Sequence, residues 1–124
     1  MNGVDFLADT NALIYLLNGN PCMSNYLQKN LYVSVISQME LLSYSGITQQ
    51  EEIHIKSLLN DCTEVLLTNE IKEKTIEIRK KYKTKLPDAI IAATAIIKDM
   101  PLITADKGFC QISDLTLELI NPVM

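Results

Sequence analysis

Apolar and polar positions alternate along the chain in two periods, and the switches between them outline a βα pattern. Val4 to Ala8 is a short apolar run of strand character, broken by Asp5. Asn11 to Asn18 is apolar at helical spacing, and Gly19-Asn20-Pro21 stops it. Pro21 to Lys29 reads as a second short helix, with proline at its first position. Leu31 to Ile36 has the Tyr, Val and Ile content of a strand, and Ser37 opens a helix that runs to about Tyr44. Thr48-Gln49-Gln50-Glu51 matches a capping box, in which a threonine hydroxyl and a glutamate three residues on satisfy each other's backbone N–H. It opens a helix to about Asn60. A third strand is expected at Glu64 to Leu67.

The second half continues the alternation. Asn69 to Lys83 is helical, with Ile71, Thr75, Ile78 and Tyr82 on one face. Pro87 to Asp99 is a helix of Ala and Ile with almost no polar face, so it belongs in the core. Leu102 to Thr104 and Leu117 to Ile120 complete the strands. Helices alternating with strands imply an α/β fold, an α/β/α sandwich around a mostly parallel central sheet. Neither a repeat nor a linker interrupts it, so residues 1–124 read as one domain.

Composition narrows the classes. Hydrophobic residues are 48% of the chain and charged residues 21%, which suits a globular core rather than a disordered segment. The longest uncharged apolar stretch, Ala89 to Ile97, falls well short of the roughly 20 residues a membrane span needs. Asp5 stands where a secretory signal would carry Lys or Arg, so a cytoplasmic location is expected. Cys22, Cys62 and Cys110 are odd in number and far apart, which suits neither a disulfide framework nor a zinc site. His54 is the sole histidine and has no nucleophile motif around it, so it reads as an ordinary helical residue.

The net charge of −4 disfavours a nonspecific coat on nucleic acid. Its distribution is uneven, with two bases and seven acids up to Thr68, then nine bases and eight acids. Five bases fall in the run from Arg79 to Lys85. They complement the negative end of a helix, and they could also attract phosphates to a neighbouring site.

Four acids stand at element junctions. Asp9 follows the first strand, Glu40 lies a turn into the helix after LYVSVI, Asp88 lies in the first turn of the Ala-rich helix, and Asp106 follows the LIT strand. Each has a local structural use. Asp9 or Thr10 suits an N-cap, Ser37 to Glu40 spells a capping box, Asp88 favours a helix N-terminus, and Asp106 suits an Asx-turn before Gly108. Together they describe something more, because parallel α/β sheets carry sites beyond the carboxyl ends of their strands. Four carboxylates meeting there would repel unless a hard divalent cation joined them.

At these residues the sequence resembles the PIN-domain nucleases, in particular the toxins of VapBC-type toxin–antitoxin pairs. The resemblance is carried by LADTNALIYLL, SVISQMELL, LPDAIIAATA and LITADKGF, in that order over essentially the whole chain. It implies a metal-dependent endoribonuclease, with Asp9, Glu40, Asp88 and Asp106 as the acids that bind Mg²⁺ or Mn²⁺ and carry catalysis. Thr10, Asn11 and Thr104 would orient these ligands or the substrate, and Lys83, Lys85 or Lys107 would neutralise flanking phosphates. The partners implied are an RNA substrate, a small antitoxin protein and a second copy in a homodimer, with no membrane. The apolar residues of NALIYLL and PCMSNYLQK would then serve as dimer or antitoxin surfaces, or simply as core. Ala105 departs from the polar or basic residue often found there. Two other readings remain: a catalytically silent PIN-fold binding module in a regulatory complex, and a metal-dependent phosphatase. The latter would want a second acid two residues after Asp9, where Asn11 stands.

Overall fold

The computed structural model describes residues 5–123, so Val4 of the expected first strand lies outside the described residues. Among the described residues, five strands alternate with five α-helices and two short 3-10 segments. The strands are β1 (Asp5–Ala8), β2 (Asn30–Ser34), β3 (Thr63–Val65), β4 (Leu102–Thr104) and β5 (Leu117–Leu119). The helices are α1 (Thr10–Leu17), α2 (Val35–Leu42), α3 (Gln49–Asn60), α4 (Asn69–Lys81) and α5 (Leu86–Lys98). The 3-10 segments are Pro21–Tyr26 and Lys107–Gln111.

The sheet runs in the order β3-β2-β1-β4-β5, and every pairing is parallel. Strands that are parallel throughout must be joined by crossovers, which is why helices cover both faces. Side chains alternate across each strand, so one strand feeds two cores. Leu7 and Leu102, which are register partners, join the core built with α4 and α5. Phe6, Ala8 and Ile103 join the opposite core, with Ala12 and Leu13 of α1, Leu41 of α2 and Ile55 of α3. Residues 89–95 of α5 are all buried, as its lack of a polar face demands.

Element boundaries differ from the sequence reading by a residue or two at several ends, as where α4 stops at Lys81, and in three places a segment takes a different kind of structure. The strand expected to reach Ile36 stops at Ser34, whose hydroxyl accepts from the Ile36 N–H and caps α2. Ser37 to Glu40 is therefore no capping box. Its apolar lead-in, Val35-Ile36, is the half-buried first turn of a helix, which looks like a strand in sequence. Pro21 to Tyr26 is a 3-10 turn rather than an α-helix. The third strand ends at Val65, leaving Leu66 and Leu67 exposed. The capping box at Thr48 and Glu51 forms as expected.

Two helices end in the same way with different residues. The N–H groups of Gly19 and Asn20 return to the carbonyls of Leu16 and Tyr15, with Gly19 at φ 70°. The N–H groups of Asp99 and Met100 return to Ile96 and Ala95, with Asp99 at φ 54°. This left-handed closure suits glycine, because a Cβ crowds the backbone there. Asp99→Gly is expected to raise stability by about 0.5 to 1 kcal/mol, read as a higher denaturant midpoint at unchanged slope. A lower midpoint would show that the aspartate is favoured at that cap.

The topology also fixes the end at which chemistry can occur. The chain leaves the central strand β1 toward β2 on one side and returns to β4 on the other. This strand-order switch opens a crevice at the carboxyl ends of β1, β2 and β4. Helix α5 leads by a tight turn into the start of β4, so its own first turn lies at the carboxyl end of the sheet.

Candidate active site

Asp9 is the residue immediately after β1 and caps α1, accepting at Oδ1 from the Ala12 N–H at 2.8 Å. Its other oxygen, Oδ2, accepts from the Thr104 hydroxyl at 2.5 Å. Thr104 ends β4 and is fully buried. Its oxygen in turn accepts from the Asp106 N–H at 3.0 Å, so one hydroxyl ties the ends of two adjacent strands. The Asp106 side chain accepts from the Gly108 N–H at 2.8 Å, the expected Asx-turn. On the other flank, Thr10 donates to Glu40 Oε1 at 2.6 Å and lies 2.9 Å from Ser37 Oγ. Asp88 occupies the first turn of α5, and among the described residues its carboxylate has no hydrogen-bond partner.

These pieces enclose one cavity of about 180 Å³, lined by Asp9, Thr10, Asn11, Glu40, Asp88 and Asp106 over Ile91 and Phe109. The four acids singled out in the sequence thus come from four segments and line the same space, with Thr10 and Asn11 beside them. Thr104 lies beneath, holding Asp9. A second recess of about 170 Å³ shares Asp88, Asp106 and Phe109 and is lined further by Lys83 and Lys85. Lys107, though next to Asp106 in sequence, lines neither space. Ser37 escaped the sequence reading as a site residue because it resembled a helix cap. Its only signal was spacing, a serine three residues before Glu40 and so on the same helix face.

The electrostatics follow from burial and like charge. Burial is the largest influence on Asp9 and pushes its carboxyl above the usual range, with Asp88 and Asp106 adding to the rise. The Thr104 hydroxyl and the Ala12 N–H oppose it. Asp88 is likewise raised, first by burial and then by Asp106 and Glu40, with Lys85 opposing. Each acid titrates near 3.8 when unfolded and higher when folded. The folded state therefore holds more protons across that interval, and stability falls as pH rises through the folded values. Without divalent metal, the thermal midpoint is expected to drop from mildly acidic to neutral pH. Millimolar Mg²⁺ or Mn²⁺ should flatten that drop. A midpoint that rises over the same interval in chelator would contradict this balance of charges.

The donor set consists of hard carboxylate oxygens, the chemistry Mg²⁺ and Mn²⁺ prefer. The unpartnered Asp88 carboxylate and the mutual repulsion around Asp9 are what a cation would relieve. Among the described residues, no three of the His, Cys, Asp and Glu side chains are already gathered closely enough to hold an ion. The acids surround a space instead of closing on a point, which leaves room for the water ligands Mg²⁺ usually keeps. The three cysteines are unpaired and take no part, and His54 faces the Leu17 carbonyl at 3.3 Å.

The apolar residues of the first helices divide between interior and surface. Leu13, Met23 and Tyr26 are core, whereas Ile14 and Leu27 are exposed. No helix among the described residues is long and apolar enough to cross a membrane.

Comparison with known proteins agrees with this architecture. The family model of the PIN domain matches residues 6–115. A toxin–antitoxin complex from Klebsiella pneumoniae contains a chain 31% identical, with a TM-score of 0.77, covering 89% of this chain and 94% of that one. VapBC2 from Rickettsia felis, bound to a DNA fragment from its promoter, is 22% identical with a TM-score of 0.84, covering 95% and 100%. VapBC-1 from nontypeable Haemophilus influenzae is also 22% identical, with a TM-score of 0.77, covering 94% and 98%. No curated protein matches the chain.

Proposed function

Since the chain belongs to the PIN domain family, whose members are generally nucleases, we propose that it is a Mg²⁺- or Mn²⁺-dependent endoribonuclease and the toxin of a toxin–antitoxin pair. The observation that carries this reading is the meeting of Asp9, Glu40, Asp88 and Asp106 around one cavity from four segments of the chain.

Asp9 and Asp88 would hold the ion, with Glu40 and Asp106 completing the acidic ring. When bound, it would polarise the scissile phosphate, lower the pKa of attacking water and stabilise the departing oxygen. Glu40 is exposed at the rim and oriented by Thr10, so it is placed to accept the proton of that water. In-line attack forms a new P–O bond and breaks the bond to the 3′ oxygen, leaving a 5′-phosphate. Thr104 fixes the carboxylate plane of Asp9, Thr10 fixes Glu40, and Asn11 is exposed where it can orient a sugar or phosphate oxygen. Lys107, which is exposed, contributes only to long-range attraction.

The proposed partners are RNA, a small antitoxin that silences the site, and a second copy of the chain in a homodimer. The proposed location is the cytoplasm. Purified protein should cut RNA in Mg²⁺ or Mn²⁺ and stop in EDTA. Folded protein that cuts no RNA in either metal would instead favour a silent binding module.

A further inference from the structure

We propose that the recess beside the acid cavity is a second phosphate subsite, which holds the backbone phosphate next to the scissile one. The ligand rests on the ribonuclease reading above, while the place rests on geometry. The recess and the acid cavity share Asp88, Asp106 and Phe109, so a strand with one phosphate at the acids passes directly into it. Its outer wall is Lys83, Thr84, Lys85 and Gln111.

Three observations mark this wall as built for an oxyanion. First, the ion pairs among the described residues are Lys56–Glu52, Lys72–Glu73 and Lys74–Glu77. Neither Lys83 nor Lys85 has a carboxylate in ion-pair range, although the chain carries more acids than bases. Second, the backbone presenting them is pinned from both sides. Gln111 Nε2 donates to the Lys83 carbonyl and Arg79 Nε donates to the Thr84 carbonyl, each at 3.3 Å. Third, the Thr84 hydroxyl oxygen is shielded from solvent and has no hydrogen-bond partner, and because Thr84 lines the recess, a turn about its χ1 would bring this unsatisfied hydroxyl to a ligand oxygen there.

The opposite flank of the acid cavity offers nothing comparable. The groove beyond Thr10 and Glu40 is lined by Ile14, Leu41, Tyr44, Ile55 and Glu51, with no lysine or arginine. Asn18, Tyr44 and His54 add polar atoms to it, but a phosphate entering there would meet two glutamates, Glu40 and Glu51, and no lysine or arginine to offset them. The strand path is therefore one-sided, leaving the acids across the 83–85 loop toward the basic end of α4 (Arg79, Lys80, Lys81).

The test is the salt dependence of binding a short single-stranded oligoribonucleotide in EDTA, where nothing is cut. In the double variant Lys83→Gln/Lys85→Gln, affinity should fall about tenfold and the slope of log K against log salt should shrink by about 0.7, one phosphate contact on a single strand. Lys98→Gln, a change at the exposed far end of α5, should leave both unchanged. Thr84→Val should weaken binding several-fold while matching or exceeding the wild-type thermal midpoint, since it removes an unsatisfied hydroxyl. An unchanged slope in the double variant overturns the subsite. So does an acidic peptide of equal charge that competes as well as the oligonucleotide. Binding unaltered by Thr84→Val overturns the part given to its hydroxyl. Because binding is read without metal, protein that shows the slope change but never cuts would remove the nuclease reading alone. Cleavage with an unchanged slope would remove only the subsite.

Discussion

Asp9→Asn and Asp88→Asn are each expected to lower RNA cleavage by on the order of 10³-fold or more, with the fold intact. The amide keeps the size of the carboxylate but loses the negative oxygen needed to hold a cation. Stability separates this from a trivial loss of structure. Both acids are held above their ordinary carboxyl range, chiefly by burial and then by neighbouring acids, so their charge opposes folding in the absence of metal. Each variant should therefore melt no lower than the wild type in EDTA. The difference should reverse in Mn²⁺. A ligand at a hundred times its Kd stabilises the state that binds it by about 2.7 kcal/mol, and the variants forgo that gain. The checks are a cleavage time course and thermal melts in EDTA and Mn²⁺. Full activity in either variant would remove that residue from the mechanism.

Ala92→Leu should act through packing. Ala89, Ala92, Ala93 and Ala95 are all at 0–1% exposure and let α5 lie close within its core cluster. The added isopropyl group must fit where Ala92 is already fully buried, and such overpacking costs about 1 to 3 kcal/mol. The core can relieve it only by moving the helix that carries Asp88. Cleavage should thus fall more than the loss of folded protein explains, with kcat lowered at temperatures where circular dichroism shows a fully folded chain. A variant of normal kcat and lowered melting temperature would mean that the core absorbs the bulk without moving Asp88.

Much of this was legible in the sequence because the physics is local. Strands and helices announce themselves by periodicity, and Asp9 and Asp106 stand just after strands that the pattern identifies, where a parallel sheet puts its crevice. Asp88 could be placed because a helix feeding a strand must begin at that strand's far end. What escaped depends on contacts between distant segments. Ser34 and Ser37 are equally good caps in sequence. The choice falls to Ser34 because strand pairing ends there, which sends Ser37 inward to Thr10. Lys107 looked as eligible as Lys83 and Lys85 by its nearness to Asp106. The 3-10 turn carries it away, while the Gln111 side chain of that same turn holds the 83–85 loop beside the acids. The exposure of Leu66 and Leu67 was likewise invisible, because a short apolar run does not show where its pairing stops.

The central position of β1 has a consequence for synthesis. Its neighbour β4 lies some ninety residues later in the chain, with Leu7 opposite Leu102. Contacts of such long range form late, and translation delivers the amino end first. A ribosome still assembling α5 holds Asp9 without Thr104 to orient it and without Asp106 beside it. The pocket is completed only once Thr104, Asp106 and Phe109 have followed α5 out, so a nascent chain that stops short of them carries no finished site.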